Sequence, residues 1–297
     1  MNNRRAGPGL NPIVARSAPP CLSRPFLKWP GGKFRLVDHL KKYLPPGKLL
    51  IEPFVGAGAV FLNTSHPNAV LNDINQDLIG LYQALQTTPA AFIRKAHSLF
   101  VTKNNEAKAY YRLRNQFNQS NNTTERALLF LYLNRHGYNG LCRYNLSGGY
   151  NVPFGAYKRP YFPQKELQQF ADHLQRATLR CANYESLLLE YLQATTLKDH
   201  VFYCDPPYAP LGGSVTNFTG YAANRFTLED QTKLAELARA LAAKGATVLM
   251  SNHDTPFTRK IYRGAKITKL TVQRNISCIP GKRAKVAEIM AYFRAEA

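Results

Sequence analysis

The sequence is poor in cysteine, tryptophan and acidic residues, and it contains no long hydrophobic run. Its five cysteines are odd in number, lie far apart and form no Cys-x-x-Cys pair, so they support neither a disulfide framework nor a zinc site. No segment approaches about 18 consecutive apolar residues, so no membrane span is predicted. Residues 1–24 combine Arg, Pro, Gly and Ser without an apolar segment, which argues against a signal peptide and predicts a flexible extension. We therefore expect a cytoplasmic protein.

The shortage of acidic residues has a second consequence. The chain has 18 Asp and Glu against 39 Lys and Arg, for a net charge of +21. Such a balance is unusual for an enzyme with a small neutral substrate, and it favours a polyanionic partner. Because the basic residues are spread from Arg4 to Arg294, we expect a basic face on a folded domain. A generally basic, solvated surface is the alternative.

Short apolar runs separated by helical patterns are typical of an α/β sheet. The predicted strands are residues 49–51, 69–71, 178–180, 201–203, 247–250, 267–272 and 286–293, and a helix is predicted over 228–243. From about residue 78 to residue 134 the pattern changes to long, polar, aromatic-rich helices. Ser147-Gly148-Gly149 then predicts the turn of a β-hairpin. The organisation is an α/β sheet formed by residues 25–75 and 164–297, with a mostly helical insertion at 76–163.

A glycine loop follows the first predicted strand. Gly56 and Gly58 lie between a strand and a helical start at Ala59, and Asp73 ends the next strand, 17 residues after Gly56. The two glycines allow close backbone approach to a ligand, and Asp73 can bind ribose hydroxyls, so the arrangement favours a nucleoside-containing cofactor. A structural turn is the alternative, since the third glycine of a dinucleotide-binding motif is absent.

A second cradle precedes this loop, in Lys28-Trp29-Pro30-Gly31-Gly32-Lys33. Two glycines bare the backbone, Lys33 offers a charge for a carboxylate, and Trp29, the single tryptophan of the chain, offers a stacking face. An N-terminal turn with a core tryptophan is the competing interpretation.

Asp205-Pro206-Pro207-Tyr208 follows the predicted strand 201–203 and is the most specific motif. The amine of adenine is a poor nucleophile because its lone pair is delocalised into the ring, so two acceptors aimed at its hydrogens favour the form that attacks. Asp205 offers its carboxylate and Pro206 its carbonyl, held rigidly by two prolines. Tyr208 offers a ring to stack on the base. The motif therefore predicts methylation of an amino group on a nucleobase.

These motifs, taken in order, resemble the alpha group of adenine-N6 DNA methyltransferases, the D12 class, and within it the Dam type. The similarity runs from about Phe26 to Phe293. The matching segments are Lys28-Trp29-x-Gly31-Gly32-Lys33, Pro53 to Gly58, Asn72 to Asn75, Leu131 to Arg135, Gly137 to Asn145, Asp205 to Tyr208 and Ser251 to Thr255. No role is assigned to Ser251 to Thr255 beyond lining the target pocket.

The resemblance implies a Rossmann-like sheet that binds S-adenosylmethionine, and an inserted target-recognition domain that binds duplex DNA containing GATC. It places Trp29, Lys33, Asp73 and Asp205 at the cofactor, with Phe54, Gly56 and Gly58 forming its loop. It places the segment from Tyr138 to Arg143 in the duplex. The residues implied to contact DNA are Lys28, Tyr138, Asn139, Leu141, Arg143, Pro153 and Tyr157.

Base flipping agrees with this resemblance on physical grounds. An adenine stacked in duplex DNA cannot reach a buried pocket, so it must be extruded at a cost of a few kcal/mol. Tyr138 on a glycine-flanked loop can fill the vacated space, and Arg143 can contact guanine in a bidentate manner. No metal and no obligate protein partner are expected, and we expect a monomer.

The sequence departs from the family at several places. Ala156 stands where the family often has arginine, which removes one phosphate contact and leaves Lys158 and Arg159 as nearby substitutes. Residues 1–24 have no counterpart in the shorter members, residues 182–199 differ in length, and Gly212-Gly213 lengthens the loop after Tyr208. These differences concern DNA affinity and loop closure more than chemistry.

Three other functions compete with DNA methylation. A methyltransferase acting on structured RNA could use the same Asp-Pro-Pro-Tyr chemistry. A catalytically silent DNA-binding module would show an eroded motif, and none is seen. A redox dinucleotide enzyme is disfavoured by the missing third glycine and by the basic excess.

Overall fold

A seven-stranded sheet organises the part of the chain that the computed structural model describes, which comprises residues 22–211, 226–273 and 285–294. The strand order is β3-β2-β1-β4-β5-β7-β6. The strands are β1 Leu49–Glu52, β2 Asn68–Asn72, β3 Ala177–Arg180, β4 His200–Cys204, β5 Thr247–His253, β6 Lys266–Gln273 and β7 Lys285–Phe293. The first five strands are parallel, and β7 runs antiparallel to both β5 and β6.

The helices cover both faces of this sheet. They are α1 Val37–Leu40, α2 Ala59–Leu62, α3 Gln76–Thr87, α4 Pro89–His97, α5 Ala107–Gln119, α6 Thr123–His136, α7 Gln164–Leu174, α8 Tyr184–Leu192, α9 Leu228–Ala243 and α10 Pro256–Ile261. The predicted strands and the predicted helix over 228–243 are confirmed. The parallel order and the helical cover confirm the predicted Rossmann-like α/β sheet.

Side-chain alternation along the strands divides the core into two layers. Leu50 of β1 and Tyr203 of β4 belong to one apolar cluster, whereas their neighbours Ile51 and Phe202 belong to the other. Every one of these four side chains is buried. A strand that is apolar on both sides is what a parallel sheet covered by helices requires, and this explains why the predicted strands lack a polar alternation.

The helical insertion shares the first of these clusters with the sheet. Helix α6 runs through the middle of it and is buried on nearly all sides, as the run Leu129 to Leu133 shows. Helix α3 packs against α6 and against the sheet. The insertion is thus built onto one face of the sheet and has no separate core. Assigning residues 76–163 to target recognition stays a prediction.

The predicted β-hairpin is present only as a short arm. Tyr144 and Tyr150 form one antiparallel bridge, and the Asn145 N–H donates to the Gly149 carbonyl at 2.8 Å. No continuous strands form between residues 136 and 162, which corrects the expectation of two strands. Beyond this bridge, the Asn151 carbonyl accepts from the Arg143 guanidinium at 3.2 Å and Pro153 has no N–H to donate, so the ladder does not continue.

Two expectations fall partly or wholly outside the described residues. Residues 1–21 of the predicted extension are not described, and neither is Gly212-Gly213. Within the described ranges, no helix is both long and apolar enough to cross a membrane.

Candidate active site

Two loops meet where the strand order of the sheet reverses. Strands β1 and β4 are adjacent and parallel, so the loop after Glu52 and the loop after Cys204 leave the same edge. Ligands of open α/β sheets bind at such a reversal, outside the carboxyl ends of the strands. We call this region, formed by residues 28–33, 53–58, Asp73 and 205–208, the strand-end site.

The glycine loop and Asp73 are joined by hydrogen bonds. Gly56 and Gly58 have φ of 47° and 67°, values that favour glycine. The Gly56 N–H donates to Asp73 Oδ2 at 3.1 Å, and the Asn75 N–H donates to Asp73 Oδ1 at 3.0 Å. Burial raises the pKa of Asp73 to about 6, although the hydrogen bonds from Asn75 and Gly56 oppose this rise. The sequence correctly predicted the pairing of Asp73 with the loop.

Trp29 packs directly on this loop. A Cβ at Gly56 would lie 2.8 Å from Trp29 Nε1, so the close approach of the indole requires glycine there. Trp29 is half-buried and packs against the edge of the apolar core. The structure therefore brings the two predicted cradles into contact.

Lys33 and Asp205 form a buried ion pair at the centre of the site. Lys33 Nζ lies 2.9 Å from Asp205 Oδ1 and donates to the Gly31 carbonyl at 2.7 Å. The Ser251 hydroxyl of β5 donates to the same carboxylate oxygen at 3.0 Å, and Tyr203 lies 3.0 Å from Ser251 Oγ. Asp205 Oδ1 is thus held from two sides. Among the described residues, none donates to Oδ2.

The backbone of the Asp205 to Tyr208 loop is held by side chains from α9 and β5. Gln231 Nε2 donates to the Pro207 carbonyl at 2.6 Å. The Ala209 N–H donates to Asn252 Oδ1 at 2.9 Å, and the Ala209 carbonyl lies 2.6 Å from His253 Nδ1. Asn252 in turn donates to Gln231 Oε1 at 2.9 Å. This network fixes the loop from both sides.

Tyr208 lies between charged side chains. Its hydroxyl donates to Glu288 Oε2 of β7 at 3.0 Å, and its ring meets His253 edge-on with centroids 4.8 Å apart. Lys33 Nζ lies 4.6 Å from the ring centroid. Burial raises the pKa of Tyr208 well above its usual range, and the charges of Asp205 and Glu288 add to this rise, so the hydroxyl stays protonated.

Phe54 stands apart from the other predicted cofactor residues. Its ring packs against Tyr184 and Phe226, with centroids 5.4 and 5.6 Å away. This aromatic cluster belongs to the opposite layer of the core from Trp29. Phe54 and Trp29 therefore lie on different sides of the glycine loop.

A group of loop residues beside the strand-end site presents polar and aromatic side chains to solvent. We call Lys28, the segment Tyr138 to Arg143, Pro153 and Tyr157 the loop surface. Tyr138 is 50% exposed, and its N–H donates to the Pro153 carbonyl at 2.9 Å. Asn139 has a φ of 51°, and its N–H donates to the Tyr157 hydroxyl at 2.9 Å. The structure thus brings together residues that are 15 and 18 positions apart.

Lys28 joins the loop surface to helix α6. Its Nζ lies 3.8 Å from the Tyr157 ring centroid and donates to the Arg135 carbonyl at 3.4 Å. The side chain of Asn134 on α6 accepts from the Lys28 N–H at 3.0 Å and donates to the Lys28 carbonyl at 2.7 Å. Burial, with the nearby Arg135 charge, lowers the pKa of Lys28 to about 8. A polyanion beside Lys28 would favour its charged form.

Leu141 and Arg143 complete the loop surface. Arg143 is exposed, and its guanidinium donates from Nε to Asn151 Oδ1 at 2.7 Å and from Nη2 to the Asn151 carbonyl at 3.2 Å. Leu141 is half-buried, and its carbonyl accepts from the Tyr150 hydroxyl at 3.0 Å. These contacts orient Arg143 and leave the remaining N–H groups of its guanidinium available to a ligand.

Comparison with known families shows which family of proteins has this combination of sites. The model of the D12 class of N6 adenine-specific DNA methyltransferases matches residues 29–276, a range that includes the strand-end site and the loop surface except for Lys28. The chain belongs to this family. Its members are S-adenosylmethionine-dependent transferases, and this confirms the predicted family and enzyme class.

Three relatives of this methyltransferase carry the name DNA adenine methylase. The protein of Vibrio cholerae serotype O1 is 51% identical, over 91% of this chain and 96% of the relative. That of Escherichia coli K12 is 50% identical, over 92% and 96% respectively. That of Haemophilus influenzae is 49% identical, over 96% and 99%. The similarity therefore extends over nearly the whole length of each relative.

The residues of this methyltransferase fit a cofactor that carries a positive charge. In a strongly basic chain, Glu52, Asp73 and Asp205 all lie around the glycine loop. Glu52 Oε1 is buried and has no hydrogen-bond partner among the described residues. Burial raises the pKa of Glu52 to about 8, and the Asp205 charge adds to this rise. The carboxylates of Asp73 and Asp205 suit the sulfonium and ammonium of S-adenosylmethionine, and Lys33 suits its carboxylate. A cation bound beside Glu52 would favour the ionised form of that side chain.

Several residues of the methyltransferase site were missed by sequence reasoning. Glu52, Gln231 and Glu288 were given no role, and Ser251 to His253 were singled out without a specific one. Glu52 directly precedes the glycine loop, so an acidic residue at the end of a strand was a usable signal. Gln231 and Glu288 gave no such signal, because they lie 24 and 80 residues from their partners. Among the described residues, no three His, Cys, Asp or Glu side chains cluster as metal ligands would.

Proposed function

We propose that this chain transfers a methyl group from S-adenosylmethionine to N6 of adenine in duplex GATC, and that the target adenine is flipped out of the helix. The observation that carries the proposal is the geometry of Asp205. Lys33 and Ser251 occupy its Oδ1, whereas no described residue donates to Oδ2, so this oxygen faces the site with its hydrogen-bonding capacity intact. Family membership gives the substrate class.

The cofactor would be held by residues on both sides of the glycine loop. Asp73 would accept hydrogen bonds from the ribose hydroxyls, and Trp29 would pack on the ligand beside Gly56. Lys33 would neutralise the methionine carboxylate while keeping Asp205 in place. Phe54 and Gly58 complete the loop. When bound, S-adenosylmethionine supplies a methyl group activated by the positive sulfur.

The Asp205 to Tyr208 loop would prepare the amine. Asp205 Oδ2 and the Pro206 carbonyl would each accept a hydrogen bond from the N6 amine. These hydrogen bonds favour the pyramidal nitrogen needed for attack and stabilise its developing positive charge. The N6–CH₃ bond forms as the S–CH₃ bond breaks, and the surplus N6 proton leaves to solvent. The buried clamp of Gln231, Asn252 and His253 keeps the acceptors rigid, so little reorganisation is needed during the reaction.

Two tyrosines would handle the flipped base. Tyr208 would stack on the extruded adenine, a contact worth about 1–3 kcal/mol. Tyr138 would fill the gap left in the duplex, since its ring is half-exposed on a loop held by Pro153. Together these contacts offset the few kcal/mol that extrusion costs.

The rest of the loop surface would select the sequence. Arg143 would contact guanine through its free nitrogens, and Leu141 would contact a neighbouring base edge. Lys28 and Asn139 both contact Tyr157, and Pro153 holds Tyr138, so these residues would meet the remaining part of the site together. Because the strand-end site and the loop surface belong to one chain, we propose that the enzyme acts as a monomer on chromosomal DNA in the cytoplasm.

The test is transfer of labelled methyl groups to three substrates. These are a GATC duplex, the same duplex with one base pair changed, and total RNA. We expect label only in the GATC duplex, and fluorescence from a 2-aminopurine at the target position should rise on binding. Transfer confined to RNA would support the RNA methyltransferase instead, and DNA binding without transfer would support a silent module. Equal transfer to the two duplexes would contradict the proposed GATC specificity.

A further inference from the structure

We infer that Tyr144 is a positioning residue that couples the cofactor-binding turn to base recognition, with Cys142 as a weaker second link. The inference rests on the proposed function, in which Asp73 holds the cofactor and Leu141 and Arg143 contact the bases. It adds a role to residues that neither the motifs nor the family assign.

The chain alternates through the loop surface. Leu141 is half-buried and Arg143 is exposed. Between and after them, Cys142 is only 1% exposed and Tyr144 is half-buried. In extended backbone, successive side chains point to opposite sides. Leu141 begins this stretch with φ of −60° and ψ of 146°. The residues that face the ligand therefore alternate with residues that face the protein.

The two inward side chains both end on the turn that carries Asp73. Asn75 Nδ2 donates to Cys142 Sγ at 3.4 Å, and the Tyr144 hydroxyl donates to Asp77 Oδ2 at 2.6 Å. Asn75 is bonded through its N–H to Asp73 Oδ1 at 3.0 Å, and its own Oδ1 accepts from the Asp77 N–H at 3.0 Å. An unbroken series of hydrogen bonds thus runs from Asp73 to Tyr144.

The Asp77 carboxylate, which accepts from Tyr144, is also held by helix α6. Arg126 of α6 binds both oxygens of Asp77, with Nε at 2.8 Å and Nη2 at 3.0 Å. Its Nη1 donates to the carbonyls of Phe117 and Ser120 at 2.8 and 3.0 Å. The Asp77 side chain is 10% exposed, so water does not readily replace the tyrosine. Burial, together with the charge of Asp77, raises the pKa of Tyr144 well above its usual range and keeps its hydroxyl a donor.

This arrangement links the two halves of the reaction. A cofactor that fixes Asp73 also fixes Asn75 and Asp77, and through them the backbone from Leu141 to Tyr144. Since coupling is reciprocal, DNA that orders this segment should tighten the cofactor by the same factor. We expect the wild type to bind sinefungin, an unreactive cofactor analogue, about 10-fold more tightly with GATC duplex than without it, within the usual range for coupled sites.

The experiment compares Tyr144→Phe with Tyr161→Phe. Both substitutions remove one hydroxyl bonded to a carboxylate, but Tyr161 donates to Glu166 at 3.0 Å, away from the cofactor turn. The dissociation constant of sinefungin is measured by Trp29 fluorescence with and without duplex. For Tyr144→Phe we expect coupling to fall from about 10-fold to about 2-fold, with the affinity for sinefungin alone within about twofold of wild type. Tyr161→Phe should retain full coupling.

A second readout is discrimination between GATC and a one-base variant, as a ratio of kcat/KM. We expect the ratio to fall by about 10-fold in Tyr144→Phe. Full coupling and full discrimination in a folded Tyr144→Phe protein would overturn the inference, as would a wild type with no coupling. Should Tyr144→Phe fail to fold, Cys142→Ala carries the same test, with an expected twofold to threefold loss of coupling. A wild type that does not prefer GATC would instead refute the proposed function.

Discussion

The strand-end site and the loop surface differ in how they hold their side chains. At the strand-end site, Asp205 and Tyr208 are held by partners on β5 and β7, and Lys33 is buried beneath them. On the loop surface, Tyr138 and Arg143 are exposed and are held mainly by nearby loop residues. Chemistry requires charges fixed in a water-poor setting, whereas base contacts require side chains that water covers until DNA replaces it. We therefore expect large, all-or-none effects in the first region and graded effects in the second.

The largest expected effect is that of Asp205→Ala. Losing the amine acceptor and the partner of Lys33 should lower kcat about 1,000-fold or more, because the interaction acts on the transition state. DNA binding, measured by fluorescence anisotropy, should change little, since the loop surface is untouched. Asp172→Ala, on the exposed side of α7, is the control. Normal turnover by Asp205→Ala would contradict the assigned role.

Asp73→Asn should come second. We expect cofactor binding to weaken about 10- to 150-fold, the equivalent of losing hydrogen bonds to a charged group. The pKa of Asp73 is raised to about 6, and in the proposed role the ribose hydroxyls would bind its ionised form. Wild-type affinity should therefore be constant above pH 6 and fall as the pH drops below it. Trp29 fluorescence between pH 5 and 8 measures this, with Asp38→Asn as the exposed control.

The pH dependence of cofactor binding should disappear in Asp73→Asn. If the variant kept both the affinity and the pH profile of the wild type, the ribose would be bound elsewhere. That result would also remove one end of the coupling through Tyr144.

Arg143→Ala should reduce sequence discrimination without abolishing activity. Loss of a bidentate guanine contact is worth about 1–3 kcal/mol, so the preference for GATC over a one-base variant should fall about 5- to 150-fold. A methylation-sensitive digestion assay on both substrates measures it, and Arg112→Ala on the exposed side of α5 is the control. An unchanged preference would place guanine recognition on another residue.

The smallest expected effect is that of Ala156→Arg, which introduces the charge that the resemblance led us to expect at this position. Ala156 is exposed with a φ of 49°, a conformation that costs alanine and arginine alike, so stability should not change. We expect DNA affinity to rise about 2- to 5-fold, and the salt dependence to steepen by about 0.9 for one phosphate contact. Ala156→Gln matches the side-chain length without the charge. An equal gain from glutamine would show that charge is not the cause.

The fold was largely predictable because its elements are local. The strands at residues 49–51 and 201–203 are short apolar runs next to glycine or proline, and Leu228 to Ala243 carries a capping box at Thr227 and Asp230. The length of the hairpin was not predictable, because the side chain of Arg143 occupies the Asn151 carbonyl and Pro153 offers no N–H to extend the pairing. A pattern of turn residues cannot show such a competitor.

The chemistry of this protein is determined within short segments. Gly56 and Gly58 allow the backbone to turn. Asp205-Pro206-Pro207-Tyr208 carries two acceptors and a ring on a segment that proline makes rigid. Both motifs can therefore be interpreted from the sequence without knowing which distant residues pack against them. What holds these groups was decided by the tertiary structure alone. Ser251 on Asp205, Glu288 on Tyr208 and Asp77 on Tyr144 lie 46, 80 and 67 residues from their partners. Hydrogen bonds act over about 3 Å in space, and only the folded chain brings such distant residues that close.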